Sequence, residues 1–200
     1  MCVVTTAAPA LLPIFRSQAQ ATILAWLLLS PDREQPIATL APIAGVSQPA
    51  VLREVNRLIE AGLLKDRRAG NTRLVRANLA SPYFEPLATI LARSYGPAQA
   101  VPEELAQVAG IDRAIIIGSW ARRYAGEPGP APRDLDVIVV GDPDRRALRR
   151  ANARLEERLG HPVQIITIAP QEWDDQSSGF VTDVNQRPRL EVALNRSSDR

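Results

Sequence analysis

Apolar positions recur with a helical period up to about residue 95 and with a strand period beyond Ile111. Over "SQAQATILAWLLLS", residues 17–30, Ile23, Leu24, Leu27 and Leu28 stand at helical spacing, and Pro31 with Asp32 stops the run. A short helix is expected at 37–44, then the turn "GVS" and a longer helix at 48–61 with the buried stripe Val51, Leu52, Val55, Leu58 and Ile59. Gly62 suits its C-terminal cap, because glycine enters the left-handed conformation with no side-chain cost. "LLKDRR", the turn "AGN" and "TRLVRAN" read as a hairpin with a charged tip. A further helix opens near Pro82 and is closed by Gly96, and the Pro-bearing "GPAQAVPEEL" reads as a linker.

Three apolar strands follow, "RAIIIGS", "LDVIVVG" and "PVQIITIAP", with a helical segment after the first. Between the second and third lies "DRRALRRANARLEERLG", a charged helix whose thin apolar stripe is Leu148, Leu155 and Leu159. A last helix after Trp173 and the apolar "RLEVAL" complete a small α/β unit. The fold class expected is α+β in two domains. An arm at 1–16 precedes a helical domain with a hairpin at 17–95, a linker at 96–104, an α/β domain at 105–194 and a disordered tail at 195–200.

Composition narrows this only a little. With 46% hydrophobic and 23% charged residues, the chain has the make-up of a soluble globular protein. Its one cysteine, Cys2, excludes an internal disulfide framework and cannot alone build a thiolate zinc site, which points to a cytoplasmic setting. "MCVVTTAAPALLPIF" has no basic residue before Arg16, and no uncharged apolar run reaches the roughly 18 residues of a membrane span, so no membrane partner is expected. Net charge is only +2, so a polyanion-binding argument rests on where the charge sits.

It sits on the hairpin. Lys65, Arg67, Arg68, Arg73 and Arg76 are opposed there only by Asp66, a local balance of +4. "IATLAPIAGVSQPAVLREVNRLIEAGLLKDRRAGNTRLVRAN" resembles the winged helix-turn-helix of small bacterial ArsR or MarR regulators, with Gly45 in the turn and Ser47 capping the recognition helix through a hydrogen bond from a free backbone N–H. The resemblance covers roughly residues 18–80 and implies double-stranded DNA as partner, a homodimer, and a helix in the major groove flanked by a backbone-touching wing. Ser47, Gln48, Arg53 and Arg57 are then the candidates for base edges, and Lys65, Arg67, Arg68 and Arg73 for phosphates.

The second half offers chemistry. Gly118 and Ser119 end a strand and open a helical segment, a place where backbone N–H groups can hold phosphate oxygens. Asp134 and Asp136 lie two apart, so their carboxylates share a strand face and repel unless a cation, Mg2+ above all, lies between them. "GSWARR" followed by "DLDVIV" resembles the nucleotidyltransferase fold of DNA polymerase beta in its minimal prokaryotic form, over about residues 111–170. That resemblance implies a nucleoside triphosphate held by Gly118, Ser119 and Arg122, and Mg2+ held by Asp134 and Asp136, which are also the catalytic candidates.

Two departures stand out. The loop carrying "GEPGPAP" is longer than in the minimal enzymes, and where active members place a third carboxylate "HPVQIITI" has Gln164. Glutamine is no general base at neutral pH. Asp142, Asp144 and Glu172 are poor substitutes in position, and His161 and Trp120 read as structural. The expectation is a DNA-binding transcription regulator whose second domain binds or senses a Mg-nucleotide, or is a degenerate scaffold. Two other readings fit the same residues: an active nucleotidyltransferase that modifies a protein, RNA or small molecule, and an antitoxin-like autorepressor that binds a partner protein.

Overall fold

A computed structural model describes residues 15–176 and 178–194, so most of the arm, with Cys2, and the tail lie outside the described residues. The chain divides into two compact units, 1–95 and 96–200.

In the first unit α1 (Gln18–Leu28) starts at Ser17, whose side chain accepts a hydrogen bond from Gln20 N at 3.1 Å. Seven of its eleven residues are buried, Ile23, Leu24, Leu27 and Leu28 among them, so this helix is the centre of the core and not an amphipathic surface helix. A two-residue strand, β1 (Gln35–Pro36), leads into a single 3-10 turn (Ile37–Thr39) and α2 (Leu40–Ala44). Gly45 then takes φ +64, which lets the chain turn sharply into α3 (Gln48–Glu60). Ser47 has the extended backbone of a cap, but its hydroxyl accepts no capping bond. That expectation is corrected, and the exposed hydroxyl is left available.

Val51, Val55 and Leu58 form the buried stripe of α3, at i, i+4 and i+7. Ile59 is only partly buried and Leu52 is 40% exposed, so the five-residue stripe expected from sequence narrows to three. Beyond α3, Gly62 N donates to Ile59 O and Leu63 N to Leu58 O, both at 2.9 Å. This paired closure needs the positive φ of +71 that Gly62 supplies. β2 (Leu64–Ala69) and β3 (Thr72–Ala77) pair antiparallel around a two-residue tip, Gly70-Asn71. β1 adds to the far side of β3, in the order β1-β3-β2. This is the helix, turn, helix, hairpin arrangement expected, with one strand that the sequence did not reveal. α4 (Phe84–Tyr95) buries Phe84, Ala88, Leu91 and Ala92 and ends the unit.

Residues 97–105, read from sequence as part of the linker, form a helix, α5 (Pro97–Leu105), that belongs to the second unit. Gly96 is its extended N-cap and does not close α4 in a left-handed turn. Pro97 suits a first helical turn, where its missing N–H costs nothing, and Ala100, Val101 and Leu105 are buried. β4 (Ile111–Ile117), α6 (Gly118–Tyr124), β5 (Leu135–Gly141), α7 (Arg145–Leu159) and β6 (Val163–Ile168) follow in the expected order. The apolar stripe of α7 is Ala151, Leu155 and Leu159, with Leu148 half-buried. After α8 (Pro170–Asp174) and α9 (Gly179–Gln186), β7 (Leu190–Val192) returns to the sheet. The order is β6-β5-β4-β7, with β5 and β6 parallel and the other two pairs antiparallel. α5 is tied to α7 by Arg154 Nε on Glu104 Oε2 and Arg158 Nη2 on Glu103 Oε2, both 2.6 Å.

Candidate functional site

On the first unit the geometry is that of a helix beside a hairpin. Gln48, Leu52, Arg53 and Arg57 are exposed on α3, and Gln48 and Leu52 border a groove of about 290 Å³ whose other wall includes Asn71, Thr72 and Arg73 of the hairpin. Arg73 fixes that spacing: its Nη1 donates to Asn56 Oδ1 at 2.8 Å and its Nε to Asp66 Oδ2 at 2.6 Å. Asn56 was not singled out in the sequence. It lies one turn beyond Leu52, where helical spacing alone does not distinguish a brace from a solvated side chain.

The hairpin cations do not form one patch. Strand alternation and register put Arg68, Arg73 and Asp66 on the face of buried Val75, towards α3, and Lys65, Arg67 and Arg76 on the other. On that second face Glu34 accepts a bidentate bond from Arg67, with Nε at 2.9 and 3.0 Å and Nη2 closer still, and Arg76 Nε stands 3.7 Å away. The local +4 is thus overstated, because Glu34 neutralises part of it from outside the segment. Pairing of Gln35 and Pro36 with Val75 and Leu74 is what brings Glu34 beside Arg76. The Arg67 bond holds the Glu34 carboxyl below its ordinary value. Arg57 is also engaged, by Glu54 Oε1 at 2.7 Å. Among the described residues Arg53, Lys65 and Arg68 make no ion pair, and they join exposed Ser47 and Gln48 as side chains free to reach a partner.

In the second unit Gly118 and Asp136 meet at the end of the sheet. Asp136 pairs with Ile117 on one side and with Gln164 on the other. Gly118 takes φ +68, which favours glycine, and a Cβ built on it would stand 2.6 Å from Oδ2 of Asp136, so a larger residue would be strained and would displace that carboxylate. Ser119 Oγ beside it is buried with no hydrogen-bond partner. Burial pushes the Asp136 carboxyl up from its ordinary value, and the neighbouring Asp134 charge adds to the rise. Gln164 is exposed at the register position next to Asp136. Arg122 lines a cavity with Gly118 and makes no ion pair among the described residues.

Of the other carboxylates weighed from the sequence, Asp144 is engaged elsewhere. Asp144 caps α7 by accepting from Arg146 N and Ala147 N at 2.8 and 2.9 Å, which lowers its pKa. Trp120 is 2% exposed, tilted on Tyr124 and edge-on to buried His161, so both are packing residues as expected. Among the described residues no three His, Cys, Asp or Glu side chains come together as a metal cluster. Two carboxylates suit Mg2+ that brings phosphate oxygens of its own, and do not suit a metal held by protein alone. Ser119 Oγ is a donor of the right kind for such a phosphate.

No family model matches the chain, and no curated protein matches it. Among solved structures it is similar to a double mutant of Lactococcus lactis ZitR, 24% identical over 45% of this chain and 60% of that one, with a TM-score of 0.34. ZitR described as a zinc-responsive MarR family member is 19% identical over 52% of this chain and 69% of that one, with a TM-score of 0.36. Wild-type ZitR in complex with DNA is 20% identical over 53% and 68%, with a TM-score of 0.35. The chain thus spans only 60% of the first of these structures. At TM-scores this low the likeness carries no argument, and a functional reading stands on the residues themselves. No helix among the described residues is long and apolar enough to cross a membrane.

Proposed function

We propose that the first unit is a DNA-binding module of a transcription regulator, with α3 in the major groove and the β2–β3 hairpin on the adjoining backbone. The observation that carries this is the display of Gln48 and Arg53 on α3 beside unpaired Arg68 on the facing side of a hairpin braced to the same helix, with unpaired Lys65 on the hairpin's other face. Arginine and glutamine are the side chains that read guanine and adenine edges, and free cations displace counterions from phosphates. Tyr83, in the turn just before α4, and Ile90 on α4 are exposed, an apolar surface that supports a homodimer able to span two half-sites. The test is binding to genomic duplex fragments over a range of salt. Lys65→Ala with Arg68→Ala should weaken binding and flatten the log–log salt slope by roughly two, and an unchanged slope removes the hairpin from the interface.

For the second unit we infer a Mg-triphosphate site without an efficient catalytic base. Gly118 closed against Asp136, the unpartnered Ser119 Oγ and the Asp134–Asp136 pair support it. Asp134 and Asp136 would hold Mg2+, which shields phosphate charge when bound, and Gly118, Ser119 and Arg122 would orient the phosphates. Gln164 beside Asp136 accepts no proton at neutral pH, which favours binding over transfer and a sensing role over an enzyme. Transfer of a labelled nucleotide to any acceptor, lost in Asp136→Ala, would overturn the binding-only reading.

A further inference from the structure

We propose that the cavity beside Gly118 receives the base of the nucleotide, stacked on Phe180; this rests on the Mg-triphosphate reading above. The cavity holds about 190 Å³ and is lined by Gly118 and Arg122 together with Phe180, Asp183, Val184 and Arg187. It is smaller than the roughly 300–1,000 Å³ of sites that enclose a drug-sized molecule, so it suits one ring system and not a whole nucleotide.

Its position follows from the sheet order. β4 ends at Gly118, with β5 and its Asp136 on one flank and β7 on the other. Carboxylates and cavity therefore lie on opposite sides of the same turn, which is how phosphates and base would be separated along one ligand. α9 supplies the far wall through Phe180, Asp183 and Val184, the i, i+3 and i+4 positions of one helix face, and Arg187 follows at its extended C-cap.

Val181 and Val184 anchor that helix in the core, whereas Phe180 beside them is 42% exposed. An aromatic face held open at the mouth of a small cavity, bordered by two guanidinium groups and a carboxylate, matches the demands of a flat heterocycle. Asp183, bonded to Arg187 Nη2 at 2.8 Å, offers an acceptor at the edge for an exocyclic amino group.

The experiment compares calorimetric binding of Mg-ATP, Mg-GTP, Mg-CTP and Mg-tripolyphosphate to wild type, Phe180→Ala and Phe180→Tyr. Phe180 is at the surface, and circular dichroism checks that the variants fold. Phe180→Ala should weaken at least one nucleotide by roughly five- to hundredfold while tripolyphosphate is unchanged, and Phe180→Tyr should restore it. If Phe180→Ala leaves every nucleotide unchanged, or weakens tripolyphosphate equally, the base pocket is wrong and the phosphate site stands. Failure of all four ligands to bind wild type would sink the phosphate site and the base pocket together.

Discussion

Three of the five cations on the hairpin are held by carboxylates: Arg73 by Asp66, and Arg67 and Arg76 by Glu34. Glu34→Gln releases the last two, so DNA affinity should rise about tenfold and the salt slope steepen by up to roughly two, read by anisotropy titration. A carboxyl lowered in the folded state keeps its pair above the ordinary glutamate value and loses it as pH falls through the lowered one. The gain should therefore be constant across about pH 6 to 8, and a gain confined to one part of that range would refute the pairing. Asp136 has the opposite sign. Its raised pKa makes the folded protein hold a proton longer than the unfolded chain, so stability falls as pH rises from the ordinary aspartate value through the raised one. Asp136→Asn should remove that decline and raise the melting temperature at neutral pH by about a degree, the gain kept small by solvent screening, while Mg-triphosphate binding is lost. Thermal scans across pH decide it. The positions of Gly118 and Ser119 at a strand–helix turn and of Asp136 on β5 could be read from the sequence because chain neighbours build both, whereas Asp134, expected on that strand, falls in the bend just before it. Glu34 could not, since its partner lies 33 residues away and no local pattern records the pairing.

Long periodic elements were legible and short or proline-bearing ones were not. α3, β4, β5, α7 and β6 all fall where apolar spacing puts them, because each commits several side chains to one core. β1 has two residues, too few to show alternation, yet its pairing with β3 determines which charges meet on the hairpin. α5 was missed because Pro97, Pro102 and small residues imitate a linker, and its helicity comes from packing on α7 and on the sheet. Pro102 stands inside α5 and cannot donate the helical bond towards Ala98 O. Pro102→Ala should restore that bond and raise stability by about 1–2 kcal/mol, less than the full helix-propensity difference because the unfolded chain also gains freedom. Denaturant unfolding measures it, and a loss of stability would show that the ring's packing outweighs the missing bond.

The unit boundary falls after Tyr95, whereas composition placed the second domain's start at 105. A fragment of residues 96–194 should fold cooperatively, and one of residues 106–194 should not. The shorter piece lacks buried Ala100, Val101 and Leu105, whose burial is worth about 4–6 kcal/mol, close to the whole stability of a small domain. Equal melting transitions of the two fragments would refute a structural role for α5. In the first unit, the bridge from Asp66 through Arg73 to Asn56 bears on how a duplex would be met. Hairpin and helix are set at one spacing before any encounter, so little loop ordering is deferred to association. If the unit binds a duplex as proposed, the rate of capture would be governed by diffusion and charge steering and not by a search among hairpin orientations, and loosening Arg73 would slow the forward step before it hastened release.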